Sequence, residues 1–327
     1  MHLRTFGKTG RKVSEVGLGT WQLGGNWGDV PEETALATLR AAVDSGVNFL
    51  DTADVYGDGR SERVIGRFFR ETRLPLFVAT KLGRSGTPGW PKNFTRAAVR
   101  QHTEASLQRL GVDALDLTQL HCVPTDVLKQ GELFGWLGEL QKEGKIRGYG
   151  ASVESMDEAA WCLDQPGCAS LQIIFNIFRQ KPIDTIFARA KQQGVALIVR
   201  LPLASGLLSG RMTKGTQFTA DDHRTFNRDG QAFNVGETFA GIPFEKGVEL
   251  ADGLKRFVPA NETMAQFAIR WCLDFDAVSV VIPGAKNPDQ ARANALPSDL
   301  PPLPKDVHEQ LRAFYRERIA EHIRGPY

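Results

Sequence analysis

Short runs of β-branched and apolar residues alternate with longer amphipathic segments along the chain, and this alternation limits the possible folds more than any other feature. Strands that alternate with helices indicate an α/β fold with a parallel sheet, because each parallel connection needs a crossover of helical length. Eight strands are predicted, at residues 13–18, 48–52, 76–81, 114–121, 146–152, 170–176, 196–203 and 279–283.

The segments between these runs carry the 3.6-residue periodicity of helices. Residues 32–45, for example, place Ala35, Leu36 and Leu39 on one face, and Gly46 follows as a stop signal. The other predicted helices lie at residues 95–110, 184–193, 263–274 and 305–324, the last of them a C-terminal amphipathic helix. At the start of the chain, residues 3–6 and 12–14 flank a Lys8-Thr9-Gly10 turn, which predicts an N-terminal β-hairpin that plugs the bottom of the sheet.

Eight parallel strands either close as a (β/α)8 TIM barrel or remain an open doubly wound sheet. The strand count and the length of 327 residues favour the barrel, for which about 250 residues is typical. An open nucleotide-binding sheet should carry GxGxxG after its first strand. Residues 17–22 read Gly-Leu-Gly-Thr-Trp-Gln instead, without the third glycine. We therefore predict a single barrel domain over residues 1–327, with two long irregular stretches at 82–94 and 215–243 as candidate lids.

Charge and cysteine usage narrow the function. Forty Lys and Arg residues nearly balance 38 Asp and Glu residues, which argues against nucleic acid as a partner. No apolar stretch is long enough for a membrane helix, no secretory signal is visible, and the four scattered cysteines are typical of reduced thiols. We expect a cytoplasmic protein that acts on a small molecule, and its oligomeric state stays open.

Polar side chains at the ends of three neighbouring strands predict the chemistry, since catalytic residues of such barrels sit at the carboxyl ends of strands. They are Asp51, Lys81 and His121, and Tyr56 follows in the loop after the first of them. A phenol is a weak acid at neutral pH, and a nearby ammonium lowers its pKa. Asp51 would keep Lys81 charged, and His121 would donate a hydrogen bond to a carbonyl. This set suits hydride addition to C=O, with Tyr56 as the general acid.

A second constellation follows the last strand. A glycine turn there leads into a helix N-terminus, where backbone N–H groups bind phosphate well. Lys286 adds a charge that suits a 2′-phosphate, and Gln290 and Asn294 share a helix face that can meet an adenine edge. The candidate cofactor-binding residues are Thr20, Trp21, Asp51, Ser152, Gln172, Arg200, Leu201, Pro202, Leu203, Ser205, Gly206, Arg211, Gly284, Lys286, Gln290 and Asn294. Ser152 and Gln172 can hold a carboxamide, and Arg211 can pair with a pyrophosphate. No metal site is predicted.

Together these residues resemble the aldo-keto reductase family over roughly residues 3 to 320. The most specific motifs are Leu50-Asp51-Thr52-Ala53 with Tyr56-Gly57 and Ser61-Glu62, Ala79-Thr80-Lys81, Leu120-His121, Gly144-Lys145-Ile146-Arg147 with Gly150-Ala151-Ser152, and Ile282-Pro283-Gly284-Ala285-Lys286. The resemblance implies a barrel that reduces aldehydes or ketones, or oxidises alcohols, with a nicotinamide cofactor. It places the family's catalytic tetrad on Asp51, Tyr56, Lys81 and His121. It also implies an adenosine-phosphate clamp that favours NADP(H) over NAD(H).

The sequence departs from the family pattern at two positions. Val153 stands where an Asn commonly follows Ser152, so one carboxamide contact is missing or made differently. Arg200 stands where an aromatic residue often stacks on the nicotinamide, and it either stacks there itself or binds an acidic substrate. Two other functions stay open: a regulatory cofactor-binding subunit similar to potassium-channel β subunits, with little turnover, and an aldolase or isomerase that uses Lys81 as a Schiff-base former.

Overall fold

The structure is a computed structural model that describes residues 1–25, 27, 30–86 and 88–327. An antiparallel hairpin comes first, with β1 (Leu3–Thr5) paired to β2 (Lys12–Ser14). Eight parallel strands follow: β3 (Leu18–Gly19), β4 (Phe49–Asp51), β5 (Phe77–Leu82), β6 (Leu117–His121), β7 (Tyr149–Ser152), β8 (Cys168–Ile174), β9 (Ala196–Arg200) and β10 (Val278–Val281). Each of these pairs with the next in chain order, which confirms the predicted parallel α/β sheet.

The sheet curls until its two edges meet. Parallel bridges join Val16 to Val281 and Gly19 to Gly284, and the Gly17 N–H donates to the Val281 carbonyl oxygen at 2.8 Å. The first and last strands are therefore neighbours, so the predicted (β/α)8 barrel is confirmed. A barrel of this kind turns the carboxyl ends of all its strands toward one face.

Helices fill the connections between strands. The α-helices are α1 (Trp21–Gly24), α2 (Glu32–Asp44), α3 (Arg60–Thr72), α4 (Arg96–Leu110), α5 (Thr125–Leu128), α6 (Glu132–Lys142), α7 (Met156–Leu163), α8 (Pro182–Thr185), α9 (Phe187–Gln192), α10 (His223–Phe226), α11 (Phe244–Leu254), α12 (Met264–Leu273), α13 (Pro288–Ala295) and α14 (Lys305–Phe314). Short 3₁₀ helices lie at Gly7–Thr9, Ala204–Ser209, Val235–Glu237, Phe239–Gly241, Lys255–Phe257, Leu296–Asp299 and Ala320–His322, and a π-helix lies at Tyr315–Ile319. No helix of the described residues is long and apolar enough to cross a membrane.

Three predicted elements are interrupted in the structure. The predicted strand at 13–18 is two strands in two sheets, because Val13 pairs with Arg4 of the hairpin whereas Leu18 pairs with Leu50 of the barrel. The predicted helix at 184–193 is interrupted at Ile186, which separates α8 from α9. The predicted C-terminal helix at 305–324 keeps α-helical bonding only through α14 and then changes to π and 3₁₀ turns.

The N-terminal hairpin closes the barrel end that lies away from the strand carboxyl ends. The Phe6 ring is fully buried, with its centroid 5.6 Å from that of Phe49 and 5.0 Å from that of Phe77. Phe49 and Phe77 begin their strands, so these three rings fill the amino-terminal end of the barrel interior. The contact agrees with the plug that the sequence predicts, and it leaves the opposite end for the site.

Candidate active site

The three predicted strand-end residues meet at the carboxyl face of the barrel because their strands are neighbours. Asp51 ends β4, His121 ends β6, and Lys81 lies next to last in β5 between them. The following loop brings Tyr56 over them, and its ring stacks on Trp21 with centroids 5.9 Å apart. The Tyr56 and His121 rings meet edge to face at 6.1 Å. The four predicted catalytic side chains are thus adjacent.

Lys81 is the centre of this group. Its Nζ donates to the Asp51 Oδ1 at 2.5 Å, to the Thr52 carbonyl oxygen at 2.9 Å and to the Tyr56 hydroxyl oxygen at 3.2 Å. The lysine and aspartate side chains are only 1% and 3% exposed. Asp51 also accepts a hydrogen bond at 2.7 Å from Gln172 Nε2. A buried charge pair with additional hydrogen bonds is held in one geometry.

The electrostatics of this pair act on the phenol. Burial would lower the pKa of Lys81, but the Asp51 carboxylate and the Tyr56 hydroxyl raise it above its usual value, so the amine stays charged. Burial raises the pKa of Tyr56, and the Lys81 ammonium opposes that rise without cancelling it. This net direction differs from the sequence-based expectation of a lowered phenol pKa, because desolvation penalises the phenolate more than one ammonium stabilises it.

His121 is held neutral. Burial lowers the pKa of its imidazole well below the usual value, and the nearby cations Arg84, Lys81 and Arg200 lower it further. A neutral imidazole carries one N–H donor and one acceptor. Its Nδ1 is buried without a hydrogen-bond partner among the described residues. The single N–H of the neutral ring is a hydrogen-bond donor, and the ring is a poor acid compared with an imidazolium.

A cavity of about 700 Å³ is lined by Asp51, Tyr56 and His121 of this group. Most predicted cofactor-binding residues line it: Trp21, Asp51, Ser152, Gln172, Arg200, Leu201, Pro202, Leu203, Ser205, Gly206, Arg211, Gly284, Lys286, Gln290 and Asn294. Thr20 is the exception, since it is fully buried and its hydroxyl donates to the Asp51 carbonyl oxygen at 2.8 Å. Lys81 does not line the cavity either, because it lies beneath the Tyr56 ring. The cavity joins the catalytic group to the loop after β10.

The far end of the cavity is cationic. Arg211, Arg224 and Lys286 line it, and burial together with the Arg224 guanidinium lowers the pKa of Lys286. Such crowding of like charges would be relieved by an anion between them, as a phosphate of a dinucleotide would be. Gln290 and Asn294 hold the preceding turn, because Gln290 Oε1 accepts from the Lys286 N–H at 2.8 Å and Asn294 Nδ2 donates to the Gly284 carbonyl oxygen at 3.1 Å.

The loop after β9 has an unusual backbone where it lines the cavity. Three residues other than glycine adopt the left-handed region there: Leu201 with φ 54°, Ala204 with φ 48° and Ser205 with φ 55°. Such residues are uncommon and gather at ligand-binding sites, where the surrounding structure maintains them. Here Ser205 Oγ donates to the Glu237 carbonyl oxygen and accepts from the Phe239 N–H, both at 3.1 Å.

A set of charged residues that we call the charged wall is formed by Arg84, Glu154, Arg200 and Glu237, of which the sequence predicted only Arg200 as a site residue. Arg84 contacts Glu154 at 3.2 Å and Glu237 at 3.8 Å, while Arg200 contacts Glu237 at 3.4 Å. Arg200 also donates to the Val153 carbonyl oxygen at 3.2 Å. Arg84 and Glu154 each lie two residues after a strand, β5 and β7 respectively. This position just past a strand end is the one sequence feature that could have identified them as site residues.

Part of the charged wall resembles a metal site without its chemistry. Ligand atoms of Cys122, Glu154 and Glu237 lie within 4.8 Å of one another. Burial raises the pKa of Cys122 to about 12, so its thiol is protonated at neutral pH. Arg84 and Arg200 already neutralise the two carboxylates. We therefore interpret the group as an ion-pair network.

Comparison with known proteins places the chain in a family. The model of the aldo/keto reductase family matches residues 15–316. An aldo-keto reductase of Bacillus subtilis, YhdN, is 30% identical over 303 residues, which cover 90% of this chain and 87% of that protein. A probable voltage-gated potassium channel subunit beta of Arabidopsis thaliana is 30% identical over 325 residues, which cover 93% of this chain and 93% of that protein. The solved structure of a glycerol dehydrogenase from Gluconobacter oxydans aligns with a TM-score of 0.77 at 30% identity. The alignment covers 97% of this chain and 94% of the dehydrogenase chain. The chain therefore belongs to the aldo/keto reductase family.

Proposed function

We propose that the protein is an NADP(H)-dependent oxidoreductase that reduces an aldehyde or ketone to an alcohol, or catalyses the reverse reaction. One observation carries this proposal. A buried ammonium lies 2.5 Å from a carboxylate and 3.2 Å from a phenol oxygen, and the phenol lines a cavity of about 700 Å³ that extends to Lys286 after β10. Bound NADPH would supply the hydride.

The chain's own residues would manage the proton and the carbonyl. Tyr56 would donate its proton to the developing alkoxide, and the Lys81 ammonium would stabilise the phenolate that remains. Asp51 would keep Lys81 charged and oriented. His121, whose pKa burial holds well below its usual value, would hydrogen-bond the carbonyl oxygen and align it with Tyr56. The raised pKa of Lys81 argues against the Schiff-base alternative, which needs a neutral amine.

The test is the replacement of the phenol. We expect Tyr56→Phe to lose carbonyl reduction by about 10²- to 10⁴-fold, the range for general acid catalysis, while NADPH still binds. Tyr149→Phe is a matched control, because that tyrosine lies on β7 away from the cavity and donates to the Pro166 carbonyl oxygen. Most of the turnover surviving in Tyr56→Phe would contradict the mechanism. Tight NADPH binding with no turnover of any carbonyl in the unsubstituted protein would favour the regulatory function instead.

We propose NADP(H) rather than NAD(H) because of the cationic end of the cavity. A hydrogen bond to a charged group contributes about 1.5–3 kcal/mol, so loss of the Lys286 ammonium should weaken NADPH binding by about 10- to 150-fold. We expect Lys286→Met to lower NADPH affinity by this amount and to leave NADH affinity nearly unchanged, as measured by fluorescence titration. An equal loss for both cofactors would mean that Lys286 does not contact the 2′-phosphate.

A further inference from the structure

Asp54 is a buried carboxylate that the proposed mechanism does not use. It lies two residues before Tyr56 in the chain, and its side chain is 0% exposed. Neither Asp54 nor its partner His102 is among the described residues that line the cavity. Removing a carboxylate from water is costly, so the contacts of Asp54 must offset a free-energy cost. The following inference rests on the proposed function and concerns how Tyr56 is held over Lys81.

Asp54 joins the loop that carries Tyr56 to the strand that carries Lys81. Its backbone N–H donates to the Lys81 carbonyl oxygen at 3.0 Å, and its Oδ2 accepts from the Gly83 N–H, also at 3.0 Å. Both hydrogen bonds reach the chain at the end of β5. A loop that is bonded to a strand at two points keeps both its distance and its orientation relative to that strand.

His102 supplies a third contact, from outside the barrel. It lies on α4, and its Nδ1 is 2.9 Å from the same Asp54 Oδ2. An imidazole Nδ1–H can donate to a carboxylate whether the ring is neutral or charged. The other carboxylate oxygen, Oδ1, is buried and has no hydrogen-bond partner among the described residues. Loss of the imidazole would therefore leave this buried carboxylate with much weaker support.

The contact that depends on this arrangement is the one between Tyr56 and Lys81. The Lys81 Nζ lies 3.2 Å from the Tyr56 hydroxyl oxygen, but only 2.5 Å from Asp51 Oδ1 and 2.9 Å from the Thr52 carbonyl oxygen. A hydrogen bond of 3.2 Å is at the long end of the usual range, so a further displacement of the loop would break it. Asp51 and Thr52 precede Asp54 in the chain, and their contacts with Lys81 would remain.

We propose that Asp54 and His102 are positioning residues that hold the Tyr56 hydroxyl against the Lys81 ammonium and thereby control proton transfer by Tyr56. An unpaired buried charge is strongly destabilising. Without His102, the Asp54 carboxylate would turn toward water, and the loop that carries Tyr56 would move with it. Tyr56 would then hold its proton more firmly, because the ammonium would no longer stabilise the phenolate.

The direction of the effect separates positioning from direct electrostatics. The titratable side chains that face the Tyr56 phenol are Lys81, Asp51, Glu237 and His121. Burial raises the pKa of the phenol most, the ammonium lowers it, and the two carboxylates raise it further. If Asp54 acted on Tyr56 by its own negative charge, its removal would lower the pKa of the phenol. If Asp54 acts by holding Tyr56 against Lys81, its removal raises that pKa.

The experiment measures the pKa of Tyr56 by fluorine NMR in full-length protein made with difluorotyrosine, whose phenol is more acidic than that of tyrosine. The Tyr56→Phe variant identifies the resonance among those of the four tyrosines. We expect Asp54→Ala and His102→Leu each to raise the pKa of Tyr56 by at least about 1 pH unit, because the phenolate loses a cation at hydrogen-bond distance. The titration is read from the protein itself and needs no turnover.

Two further variants complete the design. His102→Asn keeps an N–H donor near the place of Nδ1, so it should retain the pKa that Tyr56 has in the unsubstituted protein. His308→Leu is the matched control, because His308 forms the same kind of pair with Asp274 at 2.8 Å, and its loss should leave the pKa of Tyr56 unchanged. The His102 side chain is 11% exposed, so His102→Leu keeps the test valid if Asp54→Ala does not fold.

Kinetics give a second readout. Asp54→Ala and His102→Leu should lower the kcat of carbonyl reduction by at least about tenfold, because a small misplacement of a catalytic group can cost up to about 10²-fold. NADPH affinity should not change, since neither residue lines the described cavity. His308→Leu should keep the kcat of the unsubstituted protein.

Three results would overturn the proposal: an unchanged or lowered pKa of Tyr56 in either folded variant of the pair, an equal rise in His308→Leu, or a rise in His102→Asn as large as that in His102→Leu. If Tyr56→Phe loses carbonyl reduction while the pair variants keep it, the proposed function stands and this inference fails. If the unsubstituted protein reduces no carbonyl with NADPH or NADH, the proposed function fails, and the NMR titration still decides whether the pair positions Tyr56.

Discussion

At the scale of single residues, the site depends on a cation that is fully enclosed. Lys81 is 1% exposed and has three partners in Asp51, Thr52 and Tyr56. Desolvating an ammonium is costly unless a counter-charge and further hydrogen bonds compensate. Lys81 and Asp51 therefore stabilise each other, and a double-mutant cycle can measure their interaction.

We expect Lys81→Met to destabilise the protein by about 3–5 kcal/mol, because it leaves the Asp51 carboxylate buried without its cation. The double variant Asp51→Asn with Lys81→Met removes both charges and should be more stable than Lys81→Met alone. Urea denaturation midpoints measure both effects. If the double variant lost as much unfolding free energy as Asp51→Asn and Lys81→Met lose together, the two charges would not interact.

The pKa of Tyr56 predicts different pH profiles for the two directions. Because burial raises that pKa, the phenol is protonated throughout the neutral range and can act as an acid. Titration of Tyr56 should therefore change the kcat/KM of carbonyl reduction only slightly between pH 6 and 9. Alcohol oxidation needs the phenolate, so its kcat/KM should rise with pH by up to about tenfold per unit. A fall of oxidation with rising pH would contradict the role of Tyr56 as the base.

At the scale of elements, the hairpin and the carboxyl face can be tested separately. Phe6→Ala should cost about 3–5 kcal/mol of stability, because it empties the ring cluster at the amino-terminal end of the barrel. Leu3→Ala on the same hairpin is the matched control, since Leu3 is 55% exposed and its loss should cost less than about 0.5 kcal/mol.

The catalytic constants of the folded Phe6→Ala protein should stay within about threefold of those of the unsubstituted protein, since the substitution lies at the other end of the strands. Chemical denaturation and steady-state kinetics on the same preparation give both values. A large kinetic loss at unchanged stability would show that the plug shapes the site, contrary to this expectation.

The order of elements was predictable because local periodicity and glycine stops determine it. The alternation of strands and helices fixed the barrel, and the strand ends located Asp51, Lys81 and His121 in advance. The division of 13–18 between two sheets was not predictable, because it depends on which distant strand each residue meets. The ion pairs of the charged wall were not predictable for the same reason. Glu237 is separated from its partners Arg84 and Arg200 by 37 or more positions in the chain, and these residues come together only after the barrel closes.

At the scale of the whole molecule, the cavity is bordered by loops that follow different strands of the barrel. Tyr56 and Arg84 lie after β4 and β5, and other lining residues lie after β9 and β10. A dinucleotide that contacts all of these loops would hold them together. Cofactor binding should therefore be visible as global stabilisation as well as in kinetics.

We expect NADPH at 100 times its dissociation constant to stabilise the folded state by about 2.7 kcal/mol. For a chain of this size, that corresponds to a Tm increase of roughly 4 °C. NADH at the same concentration should give a smaller shift, and Lys286→Met should reduce the NADPH shift toward that of NADH. Thermal unfolding followed by circular dichroism measures these values, and equal shifts for both cofactors would contradict the proposed preference.

The contact between Lys81 and Asp51 belongs to the folded structure and does not depend on a bound reactant. Water around a dissolved phenol has to turn afresh each time charge develops on the oxygen, whereas here the compensating charge already faces that oxygen before any reactant arrives. In the proposed mechanism, most of the rearrangement that a proton transfer requires of its surroundings is thus completed once, when the protein folds.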